Sequence, residues 1–185
     1  MTPLIKNLDK FTYINRLYKF RPIIFEDIED IRNWRNDQIT SLRQKKHITR
    51  SDQIHYWNNF IFPSLSDEMP DQLLFSLEDC KLNKLIAYGG LVHINWKNKY
   101  AESSFLTDTI YNENSKEYEI IFNNYLKFLI STSRSLKLSC IYSETYSFRA
   151  KHIKILEHFG YEQYGYLKNL SCSKNSSILH QYLLN

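Results

Sequence analysis

Apolar residues recur at helical spacing in four stretches of the chain. Ile28, Ile31 and Trp34 predict a helix from Glu26 to about Arg35, with Glu26, Asp27 and Glu29 at the positive end of its dipole. Ile54, Trp57 and Ile61 form the buried stripe of a second helix that starts at Thr49, where Thr49 and Asp52 have the pattern of a capping box. Tyr118, Ile121, Phe122, Tyr125, Leu126 and Leu129 predict a third helix running to about Arg134. The fourth runs from Phe148 to His158, with Gly160 as its C-cap.

Between these helices lie runs rich in β-branched and aromatic residues, read as strands over 17–24, 73–79, 85–96, 100–107, 136–146, 161–169 and 177–185. The two in the middle are joined by Lys97-Asn98-Lys99, the turn chemistry of a hairpin. On the strand after that turn, Ala101, Ser103 and Phe105 share one face and Glu102, Ser104 and Leu106 the other. This places a carboxylate, Glu102, on a strand otherwise suited to a core. SLRQKKHITR (41–50) is a basic loop, and Pro63 and Pro70 bracket a second loop in which the preceding helix cannot continue. Residues 1–16 read as an extension, in which Leu4, Ile5, Leu8 and Phe11 fit a short amphipathic helix. The element order is mixed α/β (α+β), with one domain over 17–185.

The 185 residues suffice for one domain with a sizeable core, and 43% apolar and 15% aromatic content excludes a disordered chain. A net charge of +4 suits an anionic ligand but gives no indication of nucleic-acid binding. Cys80, Cys140 and Cys172 are odd in number and widely spaced, which fits reduced thiols and no metal site. No stretch has the length and apolarity of a signal peptide or membrane span, so the expected setting is cytoplasmic, without a membrane partner.

Four segments, taken together and in order, resemble one family: RPIIFEDIEDIRNWRND (21–37), KLIAYGGLVHINWKNKYAESSFLTD (84–108), ETYSFRAKHIKILEHFGYEQYG (144–165) and ILHQYLL (178–184). The family is the GNAT superfamily of acyl-CoA-dependent N-acetyltransferases, and the branch is that of ribosomal-protein N-terminal and nucleotide-amino-sugar acetyltransferases. The resemblance spans about Tyr18 to Leu184. It implies a central, mostly antiparallel sheet of about seven strands flanked by about four helices. It implies acetyl-CoA as donor, no metal, and a small-molecule amine as acceptor: an amino sugar, especially a nucleotide-linked one. A protein N-terminus, an aminoglycoside, or an acyl-CoA-binding module without turnover remain as alternatives, and a homodimer stays open.

The resemblance also assigns residues. The family's phosphate loop, Q/R-x-x-G-x-G/A, falls on TDTIYNENSKEYE (107–119), which has no glycine. The cofactor positions on and after the strand are Phe105, Leu106, Thr107, Ser115, Lys116, Glu117 and Tyr118, with Ser115 and Lys116 in place of glycine backbone as phosphate contacts. Acetyl-CoA is expected between strands 101–107 and 138–145. In the 144–165 segment, Arg149 takes the place of a cofactor-contacting Asn, His152 that of a small residue, and Leu156 that of the Tyr that protonates the leaving thiolate in many members. The Ala101-Glu102-Ser103-Ser104-Phe105 setting matches members whose Glu removes the acceptor's proton. His55 and His93 are the further base candidates, and the two early helices with their connecting loop shape the acceptor pocket.

Overall fold

The computed structural model describes residues 11–111, 113, 115–168 and 175–184. The strands are β1 (Tyr13–Ile14), β2 (Tyr18–Pro22), β3 (Leu73–Asp79), β4 (Lys84–Asn95), β5 (Tyr100–Thr107), β6 (Cys140–Tyr146), β7 (Glu162–Leu167) and β8 (Ser177–Leu183). The helices are α1 (Ile28–Asp37), α2 (Arg50–Tyr56), α3 (Phe62–Leu65), α4 (Lys116–Ser135) and α5 (Ala150–Phe159). The fold is mixed α/β, and of the strand pairs given below only β5–β6 is parallel. Eight strands are present among the described residues against about seven expected. The additional one is β1, which draws part of the expected extension into the sheet by pairing with β2. The helix read from Leu4, Ile5 and Leu8 lies outside the described residues, and Phe11 packs edge-on against Phe75.

Backbone contacts divide the chain into two compact units: Met1–Ile94 with Ser104–Ile110, and Asn95–Ser103 with Tyr111–Asn185. In the first, β1, β2, β3 and β4 run as an antiparallel meander. The paired glycines of β4 let its neighbours close in. A Cβ on Gly89 would stand 2.1 Å from the carbonyl oxygen of Ser104, and one on Gly90 would stand 1.9 Å from that of Leu73. No side chain fits at either position. The core of this unit joins Ile28, Ile31 and Trp34 of α1 to Trp57, Ile61, Leu74 and Tyr88. Asp27, expected as a dipole-facing acid, is buried instead. Arg21 grips it with two hydrogen bonds of 2.7 and 2.8 Å, and Ser76 donates to it at 2.6 Å. The pair therefore locks the start of α1 to β2 and β3.

The second helical stretch differs from its expected form. A wide π turn, Trp57–Ile61, follows α2, and α3 continues beyond it through Pro63. The buried residues are Gln53, Trp57, Ile61 and Leu65, whereas Ile54 is only partly buried. A spacing of four exceeds the 3.6 residues of an α-helical turn, and the wide turn keeps these side chains on one side. Phe62 N–H donates five residues back to the Trp57 carbonyl, so the return to α geometry falls at Pro63, which has no N–H to place.

In the second unit, β5 pairs with β6 at Tyr100–Cys140, Ala101–Ile141 and Glu102–Tyr142, and β8 lies between β6 and β7. Helix α4 is 20 residues long and buries Tyr118, Ile121, Phe122, Tyr125, Leu126 and Leu129, the predicted stripe. The segment 136–139, expected as strand, is a connection in which Lys137 adopts φ 57°. Gly160 ends α5 at φ 104°, as a left-handed C-cap.

Candidate active site

The first unit contains a cavity of about 360 Å³. Its walls include the rings of Tyr56, Trp57 and Tyr88, the amide side chains of Gln53 and Gln72, and the guanidinium of Arg35. The π turn sets Trp57 and Ile61 in this wall, and Gln53 is held by donating to the Ile28 carbonyl at 2.8 Å. Asp52 also lines the cavity, but its carboxylate accepts from the Thr49 backbone and hydroxyl as the capping box of α2. That hydrogen bonding, led by the Thr49 hydroxyl, lowers its pKa and keeps it ionised. The connecting loop contributes Ile48, so residues of the two early helices and of their loop line this cavity.

His55 and His93 are not among the residues that line this cavity. Both are exposed. His55 lies against the Asn59 side-chain amide at 3.2 Å and edge-on to Phe60. His93 breaks the extended backbone of β4 with φ 52°. Of the strand positions expected at the cofactor, Leu106 and Thr107 are buried and Phe105 is half-buried, and the Thr107 carbonyl accepts from Gln38 at 2.8 Å.

In the second unit, Glu102 is 5% exposed, and its neighbour Ser103 donates to the Tyr142 carbonyl at 3.1 Å. The side chain at position 156 is 1% exposed leucine in the core, a hydrocarbon with no proton to give. Burial of the Tyr161 hydroxyl raises its pKa and holds it protonated, against the opposing effect of Ser103 beside it.

The other sequence candidates of this unit do meet. Ser115 caps α4 by accepting from Tyr118 N–H at 3.0 Å, which leaves the N–H groups of Lys116 and Glu117 turned out of the helix. Behind this turn, the Arg149 guanidinium donates to the Tyr118 oxygen at 3.1 Å, and Tyr118 lies 2.7 Å from His152 Nδ1. The consistent direction is Arg149 to Tyr118 to His152, so Nδ1 accepts and Nε2 carries the proton. His152, expected to face cofactor or solvent, is buried and stacked on Phe122 at 4.3 Å. Desolvation holds its pKa well below the usual value, assisted by the Arg149 charge, so the ring is neutral.

Sequence reasoning missed Glu113. Its carboxylate pairs with Arg149 at 2.8 Å and accepts from His152 N–H at 3.1 Å, tying the loop before α4 to the start of α5. Glu119 is matched in the same way by Lys151 at 2.6 Å. Two of the three acids near the start of α4 are thus neutralised by cations of α5. A 20-residue helix with a capped N-terminus, two outward N–H groups and Lys116 beside them fits a pyrophosphate, even without glycines. Among the described residues, no group of three or more His, Cys, Asp or Glu side chains is placed to hold a metal ion. No helix of the described residues is long and apolar enough to cross a membrane.

Comparison with known proteins bears on the fold and the family. Among solved structures, the fold is similar to spermidine N-acetyltransferase from Vibrio cholerae in complex with CoA and spermine. The TM-score is 0.76 and the identity 17%, covering 92% of this chain and 97% of that one. A dodecameric form of the Vibrio cholerae enzyme in an intermediate state gives 0.72 at 18% identity, covering 92% and 95%. No curated protein sequence matches. The family model of the acetyltransferase (GNAT) domain matches residues 21–181, most of the chain. The chain therefore belongs to the GNAT acetyltransferases, as an N-acetyltransferase that takes acetyl-CoA as donor and an amine as acceptor.

Proposed function

We propose that the acceptor is the primary amine of an amino sugar, in particular a nucleotide-linked one, and that the reaction takes place in the cytoplasm. The observation that carries this reading is the cavity of the first unit, where aromatic rings stand beside the amides of Gln53 and Gln72. Rings that cover an apolar sugar face, together with amides and hydroxyls that bond to sugar hydroxyls, suit a polyhydroxylated molecule. A polyamine, the ligand named for the fold neighbour, needs carboxylates along its length. The cavity offers only Asp52, already engaged by Thr49.

In this reading the donor's pyrophosphate lies at the N-terminus of α4, held by the N–H groups of Lys116 and Glu117 and by the Lys116 ammonium. Arg149 and His152 act behind that turn: they hold Glu113 and Tyr118 rather than the donor itself. Bound acetyl-CoA supplies an acetyl group activated as a thioester. Glu102, a buried carboxylate of the second unit, is assigned the role of base: a carboxylate removes the proton of an ammonium, so that nitrogen gains the lone pair needed for attack on a carbonyl. Leu156 gives nothing to the departing sulfur, and the proton for it comes from water.

A panel of amines assayed by thiol release tests this reading. Amino sugars are expected to release thiol faster than spermidine, an aminoglycoside or a peptide N-terminus. Turnover confined to polyamines or peptides overturns the acceptor assignment. Binding of acetyl-CoA without thiol release from any amine would favour a module that has lost turnover.

A further inference from the structure

Among the described residues, the Arg35 guanidinium in the wall of the first unit's cavity pairs with no carboxylate, and the acid of that wall, Asp52, is bonded to Thr49. Arg35 is half-buried in its wall, and its guanidinium donates from Nε to Gln44 at 3.2 Å and from Nη1 to the Tyr88 hydroxyl at 3.0 Å. Both partners are neutral oxygens. The other partly buried arginines each have an acid: Arg21 has Asp27 and Glu78, Arg32 has Glu29, and Arg149 has Glu113. Among the described residues, Arg35 has none. Removing a guanidinium from water without a balancing charge is costly. The two bonds fix the plane of the group but leave Nη2 with both hydrogens, the fork that fits two oxygens of one oxyanion. Lys45 and Lys46 are exposed on the loop that supplies Ile48 to the wall, and Lys46 acts electrostatically on the Asp52 carboxylate.

We propose that Arg35 binds an oxyanion carried by the acceptor, a phosphoryl group in the first place, and thereby makes this an acetyltransferase of anionic amines. The proposal rests on the reading of the cavity as the acceptor site. It goes beyond that reading by naming the group recognised and the residue that recognises it. Gln44 and Tyr88 are positioning residues that hold the fork. Lys45 and Lys46 raise the local concentration of anions at the mouth. The same charges disfavour a polycation.

Glucosamine 6-phosphate and glucosamine share one amine and differ by one phosphoryl group, so they serve as the probe pair, with spermidine as the cationic control. Wild-type protein is expected to prefer the phosphorylated sugar by about 10- to 100-fold in kcat/KM, the range of a charge-assisted contact. R35Q should reduce that preference to within about threefold, R35K should keep part of it, and Tyr88→Phe should lower it less than R35Q. The KM for acetyl-CoA and the melting temperature serve as checks that the variants are folded. Equal use of the two sugars by wild type, a preference for spermidine, or an R35Q protein that keeps the preference overturns the proposal while leaving the acetyltransferase reading in place. Should no amine release thiol, the acceptor reading fails and calorimetry decides this one separately. Heat from glucosamine 6-phosphate that R35Q abolishes supports the Arg35 site, and its absence in wild type overturns it.

Discussion

Three residues show how far identity and spacing reach. Glu102 stands out in the sequence as a carboxylate on a strand fit for a core, and it is buried. Glu102→Gln keeps the shape and removes the proton acceptor. Turnover is expected to fall on the order of 10²-fold, with acetyl-CoA affinity little changed and a residual rate that rises with pH. Near-normal turnover at neutral pH would make it structural. His152 was legible as a helix residue but not as a buried one, because its pairing with Tyr118 crosses 34 positions of the chain. Its depressed pKa has a consequence for stability. As pH falls below about 6.5, the unfolded state takes up a proton that the native ring refuses, so stability is full above that pH and declines below it. The decline attributable to this ring is about 1.4 kcal/mol per pH unit until the native pKa is reached. Melting curves between pH 7.5 and 5.5 should therefore fall more steeply for wild type than for His152→Asn, and equal slopes would show that the ring titrates normally in the fold. Arg35 escaped notice because a charged residue next to an apolar stripe is read as solvent-facing. Its position seven after Ile28, and so on the same side of α1, was the signal available.

At the scale of elements, periodicity was a sound guide wherever geometry was regular. The boundaries of β3 and β5 match their expectation, and α4 buries the six residues that marked it. It failed where geometry departs from 3.6 residues per turn. The run through Pro63 could not be recognised as helical from a pattern that assumes α geometry throughout. The glycine-free loop posed a related difficulty. The family pattern marked its place, but Glu113, which anchors it, belongs to no pattern. Two sets of substitutions test these elements. Ser115→Ala removes the cap of α4 and should lower stability by about 1 kcal/mol, a drop of roughly 2–4 °C in Tm, and also weaken acetyl-CoA binding. An effect on stability alone would separate the cap from the phosphate site. Gly90→Ala places a methyl group 1.9 Å from the Leu73 carbonyl oxygen and cannot be accommodated without opening the β3–β4 ladder. Its cost should be about 3 kcal/mol or more. Gly165→Ala meets first a leucine side-chain terminus at 3.0 Å and should cost far less. Similar denaturation midpoints for the two would remove the close-approach explanation for the paired glycines.

For the whole molecule, the family and the element order were legible from four short segments, whereas the division of the chain into two units was not. Strand β5 belongs to both, Tyr100–Ser103 to one and Ser104–Thr107 to the other, and no linker composition marks the change. Unfolding of the whole chain is also the readout that tests the donor most directly. A ligand that binds only the folded protein raises stability by RT ln(1 + [L]/Kd). Acetyl-CoA at a hundredfold excess over its Kd should add about 2.7 kcal/mol, or roughly 5–10 °C in Tm for a chain of this size. Each further tenfold increase should add about 1.4 kcal/mol without a plateau. Charge reversal at the turn, Lys116→Glu, should reduce the shift at a given acetyl-CoA concentration while leaving the ligand-free Tm nearly unchanged, since Lys116 is exposed. The N-terminus of α4 is then the part that senses the donor. A Tm indifferent to acetyl-CoA at millimolar concentration would mean that capped N–H groups without glycines do not hold a pyrophosphate in this chain, and that the donor is held elsewhere.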